Sequence, residues 1–96
     1  MTGDPQRLPV RRAPVQFRDD GDQALLIAPG KTTGYALNPT ARAIWELCDG
    51  ATTVEEMADA ICHVFNVTRP TALTDVIEVL NQLTAAEFVD WSPART

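Results

Sequence analysis

The chain has 96 residues, a net charge of −5 and a charged fraction of 22%. That length suits one domain with one core, and an apolar fraction of 45% is ordinary for a globular protein. No apolar run reaches membrane-spanning length, and no apolar stretch follows Arg7, Arg11 and Arg12 to make a signal peptide, so a cytoplasmic location is expected.

Residues 1–12 show no apolar periodicity and carry two prolines and three arginines, which reads as a flexible N-terminal arm. Val15-Gln16-Phe17-Arg18 alternates apolar and polar residues as a strand does. Asp19-Asp20-Gly21-Asp22 is a turn cluster. Ala24-Leu25-Leu26-Ile27, bounded by it and by Pro29-Gly30, reads as a second strand, and Gly34-Tyr35-Ala36-Leu37 as a third.

Asn38-Pro39 then opens a helix, with Asn as N-cap and Pro where no amide donor is needed. Ala41, Ile44, Trp45 and Cys48 recur at helical spacing, and Gly50 is the expected terminator. Thr53-Val54-Glu55-Glu56 has the form of a capping box. Val54, Met57, Ala58, Ile61 and Phe65 form the stripe of the second helix, which Asn66 ends. A third helix runs from about Thr68 to about Glu87. Phe88-Val89-Asp90-Trp91 is either a short strand or a core-packing segment, and residues 92–96 are a tail. Three strands followed by three helices predict an α+β, winged-helix-like domain over residues 13–91.

Two features point to a groove. On a helical wheel, Ala72, Leu73, Val76, Ile77, Val79, Leu80 and Leu83 cover nearly half the third helix, with Asp75, Glu78 and Gln82 opposite. A core-facing stripe needs only somewhat over 100°. The margin of Ala72, Val79 and Leu83 is either open to a partner or covered by the sheet. The third strand, Thr33 to Leu37, is uncharged and free of proline, so its edge lacks the usual protection, unless the N-terminal arm covers it. Gly34 permits close backbone approach. Tyr35 is either an aromatic wall of the groove or a cap on the core. Trp45 belongs to the core, and Trp91 is given no role.

Chemistry-bearing residues are sparse. Cys48, Cys62 and His63 do not have a zinc spacing, and one histidine supports no triad. No catalytic residue, metal or cofactor is expected. Four of the eight bases lie in the first eighteen residues, whereas twelve of the thirteen acids lie from Asp19 onward. An acidic body disfavours phosphate backbones. A winged-helix DNA-binding regulator is the alternative, opposed by Asp75, Glu78 and Glu87 on the third helix and Glu55, Glu56 and Asp59 on the second.

Leu37-Asn38-Pro39-Thr40-Ala41, Ile44-Trp45-Glu46-Leu47-Cys48-Asp49-Gly50 and Thr53-Val54-Glu55-Glu56 resemble the PqqD family. Asp75-Val76, Leu80, Leu83 and Phe88-Val89 resemble its closing helix and apolar end, so the similarity spans about residues 14–90. Two features depart from the family pattern: the link Ile27 to Ala36 is longer, and Glu87 replaces a common Gly. The resemblance implies a non-catalytic peptide chaperone. It would hold the leader of a ribosomally made precursor as an added strand, for modification by a separate enzyme, often a radical S-adenosylmethionine enzyme. On this sequence the implied peptide contacts are Thr33, Gly34, Tyr35, Ala36 and Leu37 with Ala72, Asp75, Val76, Val79 and Leu83. The partners are the precursor leader and the modifying enzyme, and monomer and dimer both remain open.

Overall fold

A computed structural model describes residues 8–12, 14–19, 21, 23–31 and 34–92. The elements, in chain order, are β1 (Leu8–Arg11), β2 (Gln16–Asp19), β3 (Ala24–Ile27), β4 (Tyr35–Leu37), α1 (Pro39–Glu46), α2 (Val54–Phe65), α3 (Arg69–Ala85) and β5 (Val89–Ser92). The α+β order of strands before helices is as expected. β2, β3 and β4 form an antiparallel sheet with β3 in the centre, and β1 pairs with β5 in a separate antiparallel ribbon. No described helix is long and apolar enough to cross a membrane.

Local sequence explains most boundaries. Asn38 Oδ1 accepts from Ala41 N at 2.7 Å and starts α1 at Pro39. Thr53 and Glu56 form the reciprocal capping box of α2, and Asn66 ends it in the left-handed region at φ 56°. Thr68 caps α3 by accepting from Thr71 N. Arg69 then joins α3 to α2 through ion pairs with Glu55 at 2.6 Å and with Asp59.

Two expectations need correction. Residues 8–11 are a strand, not an arm: Leu8 and Pro9 are buried, and residues 1–7 lie outside the described part. The cause is long-range. Arg11 Nη1 donates to the carbonyls of Trp45 (3.2 Å) and Glu46 (2.8 Å), satisfying the end of α1, and its guanidinium lies 5.9 Å from the Trp45 ring centroid. Gly50 does not terminate α1, which ends at Glu46 with Leu47 as its cap. Gly50 has the left-handed φ of 76°, but its amide donates to Pro9 O at 3.0 Å, so the turn seats the loop on β1.

The core lies between the β2–β3–β4 sheet and the helices. Ala24, Leu26 and Leu37 meet Ile44, Trp45, Met57, Ile61, Val76, Leu80 and Leu83, and Phe88 and Val89 close it. Each large side chain contributes about 1.5–3 kcal/mol on full burial.

The end of α3 is a Schellman turn. Phe88 N donates to Leu83 O at 2.9 Å and Glu87 N to Thr84 O at 3.0 Å, while Phe88 and Leu83 are both buried. The left-handed residue at this turn is Glu87, at φ 67°. A side chain in that region costs about 1–2 kcal/mol. Its ion pair with Arg12, at 3.8 Å between exposed groups, returns about 0–1 kcal/mol. Glu87→Gly is therefore expected to stabilise the fold by about 1 kcal/mol, read as a higher urea midpoint at unchanged slope. An unchanged or lower midpoint would contradict this assignment of strain.

Candidate functional site

β4 pairs with β3 on one side only; its other edge pairs with no described strand. Leu8–Arg11 does not cover it, because that segment pairs with β5. The edge is three residues long, Tyr35, Ala36 and Leu37. Alternation buries Leu37 and leaves Ala36 exposed and Tyr35 half-buried.

Helix α3 forms the facing wall. The Tyr35 hydroxyl donates to Gln82 Oε1 at 3.3 Å, and its ring packs edge-on against Phe88, with centroids 5.5 Å apart. Tyr35 thus caps the core through its ring and ties β4 to α3 through its hydroxyl. Beside this contact, Asn38, Thr40, Asp75, Glu78, Val79 and Gln82 line a cleft of about 220 Å³. Among the described residues Asp75 and Glu78 form no ion pair. The cleft offers two carboxylates, two amides, one hydroxyl and one apolar side chain beside an open strand edge. That set suits an extended polypeptide better than a compact small molecule.

The structure sorts the expected contacts unevenly. Asp75 and Val79 line the cleft, Tyr35 reaches its border through the hydrogen bond to Gln82, and Ala36 is exposed on the β4 strand. Leu37 is buried, its side chain belonging to the core. Thr33 lies outside the described residues. Ala72, Val76 and Leu83 are each 0% exposed, which corrects the expectation of direct contact there: they form the core beneath the groove. Of the three residues expected at an open margin, Val79 alone keeps exposure. Sheet and helices together cover the middle of the arc, while Ile77, at its far side, stays 46% exposed. Gly34 serves its own sheet. A Cβ there would lie 3.2 Å from the Leu25 side chain on β3.

Sequence reading missed Asn38, Thr40 and Gln82 as groove residues. Asn38 was explained fully by its capping role. Gln82 shares the helical stripe of Asp75 and Val79, at seven and three residues' distance, which is the signal that would have found it.

Three comparisons bear on this geometry. The model of the family described as coenzyme PQQ synthesis protein D (PqqD) matches residues 23–89. Among solved structures, TbiB1 in complex with the TbiA(beta) leader peptide is 27% identical, with a TM-score of 0.73 over 84% of this chain and 94% of that one. The PqqD truncation of Methylobacterium extorquens PqqCD is a functional, stand-alone recognition element for ribosomally synthesised and post-translationally modified peptides. It is 21% identical, with a TM-score of 0.72 over 92% of this chain and 99% of that one, which shows a shared fold. No curated protein sequence matches the chain.

The thiols stand apart from the groove. Cys48 is buried, its Sγ donates to Ile44 O at 3.2 Å, and burial pushes its pKa up to about 12. Cys62 is half-buried, and both are free. A thiol is nucleophilic only as thiolate, so at pH 8 Cys48 in the folded chain holds essentially none. Iodoacetamide is expected to label Cys62 in native protein and Cys48 only after unfolding, as read by peptide mass spectrometry. Equal labelling rates in native protein would contradict the burial.

Proposed function

Since this chain belongs to the PqqD family, we propose that it binds the leader segment of a ribosomally made precursor peptide in the cytoplasm and presents it to a separate modifying enzyme. The carrying observation is the open edge of β4 facing the exposed stripe of α3. The leader adds a strand to Tyr35–Leu37, and its side chains meet Val79, Asp75 and Gln82.

Magnitudes divide the labour. A three-residue edge offers few backbone hydrogen bonds, each with a net value of about 0.5–1.5 kcal/mol. Micromolar affinity requires about 8 kcal/mol. Side-chain burial in the groove must supply the difference, after the cost of ordering the peptide. Exposed charge pairs at Asp75 and Glu78 add only about 0–1 kcal/mol each. The reading assigns no covalent step to this chain; the chemistry belongs to the partner, of which a radical S-adenosylmethionine enzyme is one class.

The test is calorimetric titration with synthetic peptides from the N-terminal parts of short open reading frames beside the gene. Val79→Asp is expected to weaken binding at least tenfold, and Asp75→Asn about fivefold at most, with both variants folded. Amide shifts of the parent should map to Tyr35–Leu37 and α3. Shifts confined to α2 would place the site elsewhere and overturn the reading.

A further inference from the structure

The groove does not end at Gln82. Positions 75, 78, 79 and 82 recur at three- and four-residue intervals on α3, and Ala85 and Ala86 continue the same stripe. These two alanines line a second, larger cleft of about 490 Å³, with Val15, Ala28 and Pro29 among its other walls. The first cleft lies at the Asn38 end of β4, and the second at the loop that leads into β4. The Tyr35–Gln82 hydrogen bond stands between them.

The two clefts differ in chemistry. The first presents Asp75 and Glu78. The second has apolar walls under a rim of mixed sign: Lys31, and Arg12 held 3.8 Å from Glu87 and 3.6 Å from Asp90. Such a rim favours neither charge, and the walls of Val15, Ala28, Pro29, Ala85 and Ala86 beneath it suit an apolar side chain.

Their separation sets a spacing. From the level of Asp75 and Glu78 to that of Ala85 and Ala86 is about nine helical residues, or about 13 Å at 1.5 Å per residue. An extended chain covers about 3.3 Å per residue, so the same span takes about four residues. Four is even, and residues four apart in a strand share a face.

We propose that the peptide bound by this domain carries two anchors four residues apart: a Lys or Arg that meets Asp75 and Glu78, and a large apolar side chain that enters the cleft beside Ala85 and Ala86. This rests on the leader-binding reading and adds the sequence class that the groove selects.

The probe is a phage-displayed library of random peptides of about twelve residues, selected on the full chain. Enriched peptides are then synthesised and mapped by amide shifts. Enrichment of a basic and a large apolar residue at four-residue separation is expected. The double variant Asp75→Lys, Glu78→Lys should replace the basic residue by an acidic one. Ala85 is exposed, so Ala85→Glu should keep the fold and lower affinity at least tenfold for peptides with the apolar anchor. Retained amide dispersion checks both variants. Peptides that shift Tyr35–Leu37 but lack the spaced pair would overturn the two anchors and leave strand addition standing. A selection that yields no peptide shifting Tyr35–Leu37 and α3 would overturn both.

Discussion

The placement of α3 is the constraint on which the groove depends. Ala72, Val76, Leu80 and Leu83 are buried along its length, and the Schellman turn locks Leu83 to Phe88 at its end. With that face committed to the core, the stripe one step around the helix, Asp75, Val79 and Gln82, has to lie beside β4. Tyr35 fixes the approach twice, through Phe88 in the core and Gln82 on the surface. A rigid wall opposite a strand edge lowers the ordering cost that an incoming peptide must meet. The groove follows from packing: the core holds the helix, and the helix stands beside the edge.

Burial also separates the two roles of α3. Residues that a helical wheel groups into one apolar arc divide in three dimensions into a buried floor (Ala72, Val76, Leu80 and Leu83), the half-buried Leu73 and Val79, and the exposed Ile77. Of the last three only Val79 lines the cleft beside β4. A polar replacement at the floor would damage the fold before it revealed anything about binding. The same replacement at Val79 reports on the groove. In the proposed site the charged groups around it would tune selectivity more than affinity, because exposed pairs are weak.

Much of this was legible in the sequence, for local reasons. The Asn38-Pro39 start, the Thr53–Glu56 box and the Asn66 stop depend on residues within one helical turn, and each formed as expected. The short apolar run Ala24–Ile27 between turn residues and the uncharged edge at Tyr35–Leu37 were equally readable. What was hidden depends on distant partners. Residues 8–11 form a strand because β5 lies eighty residues along the chain to receive it, and Arg11 caps a helix thirty-four residues away. Gly50 signals a left-handed turn, but only the fold shows that the turn serves β1. The wide arc of α3 was visible, whereas the number of neighbours that would cover it was not.

Intermolecular nuclear Overhauser effects between a bound leader peptide and the backbone of the chain test the central claim most directly. Strand addition predicts short contacts between peptide Hα and amide protons and those of Tyr35, Ala36 and Leu37, alternating as in a β-ladder, together with side-chain contacts to Val79. A bound peptide whose contacts fall on α2, or on the outer face of the sheet at Leu25 and Ile27, with none to the β4 backbone, would contradict it.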